Sequence, residues 1–178
     1  MDPYLRRKVI IDRMNELESS GKDCKGCSGT CCTYEANSMM VTPIEAVELV
    51  DYLKANNLFD NELKSRLLVT VSKYRLDQAV GDGKRSFLRR TYTCPFFNHK
   101  ELGCPLPREV KPFGCLAFNA HDLEKKAGEF CFSEEKVLVA REAASLDEAA
   151  LNQKIKTENS LYWDKTPLPL ALLAFFEP

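Results

Sequence analysis

The chain has 178 residues, 44% of them hydrophobic, with 25 basic and 26 acidic side chains and a formal net charge of −1. That length suits a single domain over 1–178 with a core of ordinary size, so cysteines are not required to staple a small scaffold. The charge balance excludes a general attraction to nucleic acid or to an anionic membrane surface, and no nucleic-acid partner is expected.

The start, MDPYLRRKVIIDRMNELESS, carries charges throughout its first turns. It lacks the uninterrupted apolar stretch of a secretory signal. No segment approaches the roughly 20 apolar residues of a membrane span. The expectation is a cytoplasmic protein. In that reducing compartment a cysteine array points to metal or catalysis before disulfides.

Leu5, Val9, Met14 and Leu17, widened by Ile10, recur near helical spacing and predict a helix over 2–18 that Gly21 ends. Residues 21–33, GKDCKGCSGTCCT, hold three glycines and no periodicity, which predicts a loop. In VTPIEAVELVDYLKANN, Thr42 reads as an N-cap, Pro43 as the first helical residue and Glu45 as the partner of a capping box. Ala46, Leu49, Val50 and Leu53 supply the inward stripe of that helix. Asp60 caps a third helix predicted over 60–79, with Leu63, Leu67, Leu68, Val71 and Tyr74 inward and Gly81 and Gly83 closing it.

The texture then changes. KRSFLRRTYTCPFF partly alternates and is rich in aromatics, which predicts a strand, and NHKELG predicts a turn. Residues 104–131, with Pro105, Pro107, Pro112 and Gly114, read as mostly irregular. Ser145 with Glu148 forms a second capping box and opens a last helix over 145–162. The apolar PLPLALLAFF at 167–176 is too short to span a bilayer. It is expected to dock on this domain or on a second copy, since monomers seldom leave so large an apolar patch bare. The fold class is therefore mainly α, with a small, irregular, cysteine-rich α+β centre whose metal-organised loops pack on helices.

Eight cysteines carry the chemistry: Cys24, Cys27, Cys31, Cys32, Cys94, Cys104, Cys115 and Cys131. Thiolates are soft donors that suit zinc and iron–sulfur clusters. Cys24-x2-Cys27 places two sulfurs on one tight turn, half of a tetrahedral site. Cys31 and Cys32 are adjacent, so their side chains diverge. Either they serve different metals or one is a bystander. The later four are widely spaced and supply no second C-x2-C knuckle, which counts against an ordinary zinc ribbon. Three of them sit beside phenylalanine, a setting shared by shielded iron–sulfur clusters and by thiols that are merely buried in a core.

C-x2-C-x3-C-C, then Thr42-Pro43-Ile44-Glu45-Ala46, then Cys94-Pro95-Phe96, Cys104, and Pro112 before Cys115, with Cys131 last, resembles the YkgJ-type CxxCxxCC proteins. The likeness covers about 20–132. It departs in the three residues, Ser28 to Thr30, inside the first block and in Lys111 where arginine is usual. It implies a zinc- or iron-chelating domain with these cysteines as ligands. Flagellin lysine N-methylases carry a related pattern, but no glycine-rich strand–turn–helix is present to cradle S-adenosylmethionine, and that activity is not carried over.

The histidines, His99 and His121, read as solvated loop residues. Lys84, Arg85, Arg89 and Arg90 around Phe87 and Tyr92 could grip a single strand, but an amphipathic strand explains them equally. The leading expectation is a metal-binding protein holding zinc or an iron–sulfur cluster. Two readings stand beside it: a metal-dependent enzyme, performing for example methyl transfer or a redox reaction at an open coordination position, and a zinc-stabilised protein-interaction module. A protein partner or a homodimer is an expectation for the C-terminal segment.

Overall fold

The computed structural model describes residues 2–20, 29–78, 90–120, 131–145 and 147–176. These form a mainly helical fold with two small antiparallel strand pairs. Helix α1 (Pro3–Ser19) starts at Asp2, whose side chain accepts from Tyr4 N, with proline in the first turn. After the first cysteine block come β1 (Met40–Val41), α2 (Pro43–Ala55) and α3 (Asn61–Tyr74). Short elements follow: α4 (Phe113–Leu116), β2 (Phe118–Ala120), β3 (Cys131–Ser133), α5 (Glu135–Ala143) and α6 (Glu148–Glu158). The chain ends in β4 (Thr166–Pro167) and α7 (Leu168–Leu173).

The largest core lies between α2, α3 and α7. Leu49, Leu53, Leu63, Leu67, Leu168 and Leu172 are all buried there. The C-terminal segment therefore docks on its own chain. β4 pairs with β1, Met40 against Pro167 and Val41 against Thr166. Beyond α7, Phe176 stacks on Phe59 with ring centroids 3.8 Å apart. Tyr92 fastens the entry to α7: its hydroxyl donates to Met39 O at 2.6 Å and accepts from Leu168 N at 3.3 Å. A second core packs Ile10 and Ile11 of α1 on Phe113, Leu116 and Ala117. A third packs Ile155 and Leu161 on Ile44.

Several local expectations hold. Thr42 and Glu45 form the capping box of α2, and Asp60 caps α3 by accepting from Leu63 N. Asn98 and Gly103 close the NHKELG turn with reciprocal backbone bonds. Helix α3 ends sooner than expected, at Arg75 in the left-handed region (φ 52°), and its Leu68 faces solvent. The expected glycine stops, Gly81 and Gly83, lie outside the described residues.

Other expectations are corrected. In α1, Leu5 and Val9 are exposed, and the buried face is Ile10, Ile11 and Leu17 together with Arg6 and Arg7. Residues 90–97 do not form a strand; they run beside the first cysteine block, and 84–89 lie outside the described residues. The Ser145–Glu148 capping box does not form. Helix α6 starts at Asp147 with no side-chain cap, because the Glu148 carboxylate is taken by Arg141 at 2.5 and 3.0 Å. Helix α5 occupies sequence expected to precede the last helix, and the 104–131 stretch contains α4 and β2.

Leu172 is fully buried between α2 and α3. Leu172→Ala removes that packing, and the expected loss is about 2–5 kcal/mol in urea-induced unfolding. A variant as stable as the parent would show that α7 contributes no core.

Candidate metal centre

Cys32 and Cys94, from distant parts of the chain, are brought next to each other by backbone hydrogen bonds. The 32–37 stretch runs alongside 92–94. Cys94 N donates to Cys32 O at 2.8 Å, Tyr92 N to Asn37 O at 2.9 Å, and Asn37 Nδ2 back to Tyr92 O at 2.9 Å. These bonds place Cys32 next to Cys94. Cys104 follows the 98–103 turn, and Cys115 lies in α4. The charges of Cys32, Cys94, Cys104 and Cys115 bear on one another.

Burial decides the state of most of these thiols. It pushes Cys94 up to about 12, with Cys104 and Cys32 adding to the shift. Burial also raises Cys104, and it raises Cys115 well above the ordinary thiol value, where Cys94, Cys32 and Cys104 act in the same direction. Cys32 differs. It is lowered to about 7 because the Cys31 thiol hydrogen-bonds to it, with Lys111 helping. The two sulfurs are 3.9 Å apart, so these adjacent side chains point together and do not diverge as expected from their being neighbours in sequence. Lys111 is the nearby cation: it also favours the thiolates of Cys104 and Cys115.

Cys131 opens β3 opposite Ala120 of β2. Cys24, Cys27 and His121 lie outside the described residues. His99 is exposed and packs edge-on against Phe97, centroids 4.8 Å apart, in keeping with a loop residue. Phe97 also covers the backbone of Gly29. A Cβ there would lie 2.2 Å from the ring, and φ is +78°, so the first block closes over Phe97 only with glycine at 29. Among the described residues, no three cysteine, histidine or acidic side chains are arranged to hold a metal ion.

The cysteines rest on a buried ionic shell. Arg7 has no exposed surface. Its Nε donates to Lys111 O at 2.7 Å and its Nη1 to Glu48 at 2.5 Å, while Arg6 pairs with the other oxygen of Glu48. Two guanidiniums lie over the Phe113 ring, Arg7 at 4.8 Å and Arg141 at 3.6 Å from its centroid. Arg6 Nε, Arg7 Nη2 and Arg141 Nε are buried without a hydrogen-bond partner. The ring face partly compensates Arg7 and Arg141. Burial lowers Arg7 to about 10, against the pull of Glu45. An open cavity of about 990 Å³ borders this shell, with Cys31, Cys32, Cys115, Glu45, Phe113 and Arg141 in its wall.

Sequence reasoning missed Arg6, Arg7 and Arg141. A signal was present for the first two. They stand three or four residues before Ile10 and Ile11, so the periodicity that turns the isoleucines inward carries the arginines with them. Two inward cations demand a buried anion, here Glu48. Tyr92, grouped in sequence with a basic surface strand, is a core residue with 1% exposure.

No family model matches the chain, and no curated protein or solved structure matches it. No helix among the described residues is long and apolar enough to cross a membrane.

Glu48 is the shared anion of two buried arginines. Glu48→Ala leaves both uncompensated, and the expected loss of stability is about 3–5 kcal/mol. Urea unfolding measures it; a change below about 1 kcal/mol would mean the pair is solvated in practice.

Proposed function

We propose that the protein binds a thiophilic metal, zinc or an iron–sulfur cluster, through cysteines from the 24–32 block and the 94–131 region. The observation that carries this reading is the convergence of cysteines from distant segments: Cys94 N bonds to Cys32 O, and Cys31, Cys32 and Cys115 line one cavity. Thiols raised by burial, as Cys94, Cys104 and Cys115 are, are costly as thiolates. A cation that replaces their protons turns the same grouping into a stable one. The donor chemistry fits, because the nearby Glu45 carboxylate is already engaged by backbone and hydroxyl donors and leaves sulfur as the available ligand. The described side chains do not by themselves close on an ion, so the fit rests on donor type and proximity, with Cys24 and Cys27 as further donors. Bound there, the metal would fasten the central loops to the helices, and an iron–sulfur cluster would add one-electron chemistry.

Cys32 belongs with Cys94, Cys104 and Cys115 in this reading, and Cys31 is its neighbour, both standing in the cavity wall. The cavity favours a second reading, a metal-dependent enzyme in which a small molecule reaches the centre past Cys31, Cys32 and Cys115.

Metal analysis of protein purified without oxygen tests the proposal. Zinc gives a colourless sample, and an iron–sulfur cluster gives a brown one. Cys24→Ser, Cys27→Ser, Cys32→Ser and Cys115→Ser are each expected to lower bound metal and the melting temperature, and His99→Ala to change neither. Full metal retention in Cys32→Ser and Cys115→Ser together would overturn it. Cys31→Ser separates the remaining alternatives: unchanged metal makes Cys31 a packing residue, and partial loss assigns it to a different metal from Cys32.

A further inference from the structure

We propose that Glu45 is a positioning residue for Cys115, fixing the short helix that carries that thiol to the cavity wall it shares with Cys32, without being a ligand itself. The inference rests on the reading of Cys115 as part of the metal centre. A capping box needs one carboxylate oxygen, and glutamine serves it as well as glutamate. Here both oxygens are engaged. Oε2 accepts from Thr42 N and from Thr42 Oγ1, each at 2.8 Å. Oε1 accepts from Phe113 N at 2.8 Å, two residues before Cys115. Glu45 is 5% exposed, so these are charge-assisted bonds away from water.

The bond to Phe113 matters because α4 is only four residues long. One helical turn does not hold itself in water, so its direction is set by what anchors its ends. Pro112 precedes it and has no N–H to offer, which makes Phe113 N the first donor of the turn. Glu45 takes that donor, Arg7 and Arg141 lie over the Phe113 ring, and Arg7 holds Lys111 O just upstream. Every one of these contacts fixes the segment that delivers Cys115. The Glu45 bond is the one that ties it to the start of α2.

Glutamine at 45 must turn its amide NH2 toward one of the two sets of donors, so it breaks either the cap or the link to Phe113. Alanine breaks both. The test is alkylation of the full-length chain by iodoacetamide after treatment with a chelator, with Cys115 and Cys94 quantified separately by mass spectrometry. In Glu45→Ala the Cys115 rate is expected to rise about tenfold relative to Cys94. Glu45→Gln is expected to show a smaller rise, and it decides the matter if the alanine variant does not fold. Glu48→Gln is the control. It weakens the same ionic shell but leaves the Phe113 bond intact, and its Cys115 to Cys94 ratio is expected to match the parent. An unchanged ratio in both Glu45 variants, or an equal rise in Glu48→Gln, would overturn the proposal. Titration of the same proteins with cobalt(II), read by the thiolate-to-metal absorption band, keeps the two ideas apart. A parent protein that takes up no cobalt sinks the metal reading, and the alkylation ratio still decides whether Glu45 places Cys115.

Discussion

Glu45 sits where three parts of the molecule meet, and its carboxylate is shared among them. It closes the first turn of α2, receives the first donor of α4, and pulls electrostatically on Arg7. Around it, Arg6, Arg7 and Arg141 face Glu45, Glu48 and Glu148 in near balance of charge, all of them buried or nearly so. Removing six charges from water is costly, and an apolar cluster of equal volume would be at least as stable. What such an arrangement supplies is direction. An apolar contact tolerates sliding, whereas a carboxylate bonded at 2.8 Å to a particular N–H does not. Three arginines nonetheless keep a buried nitrogen without a partner, so the shell is not fully satisfied.

Direction matters for the proposed metal centre. The cysteines stand on loops, a three-residue turn at 30–32 and a four-residue helix, none of which has enough backbone bonding of its own to be rigid. The frame is supplied from outside. Helix α1 delivers Arg7 to Lys111 O, α2 delivers Glu45 to Phe113 N, and the 32–37 stretch is laced to 92–94. Metal binding, in this view, completes a geometry that the helices have already narrowed. Metal-free and metal-loaded protein would then differ mainly in the loops.

Much of the architecture is legible in local chemistry. The Thr42–Glu45 cap, the Asp60 cap, the apolar stripe of α2 and the docking of the C-terminal segment all depend on residues a few positions apart or on plain hydrophobicity. The failures share a cause as well. Leu5 and Val9 look like the inner face of α1 until Arg6 and Arg7 find Glu48 across the fold. Ser145 and Glu148 look like a capping box until Arg141 takes the carboxylate. In each case a local pattern meets an ionic partner outside it, Glu48, 41 and 42 positions from the arginines of α1, and Arg141, seven before Glu148, and a buried guanidinium outweighs a single backbone cap because leaving it uncompensated costs several kcal/mol against about one.

The donor inventory is legible in the chain alone: eight thiols, four of them in one glycine-rich block, and two histidines. So is the start of α2. The tertiary structure adds that Cys94 lies against Cys32, that Lys111 favours the thiolates of Cys32, Cys104 and Cys115, and that Glu45 reaches beyond its own helix. The physical reason is range. Caps and stripes are settled within one or two turns of chain, whereas Arg7 finds Glu48 across 41 positions and Lys111 O across 104, and the second oxygen of Glu45 finds Phe113 N across 68.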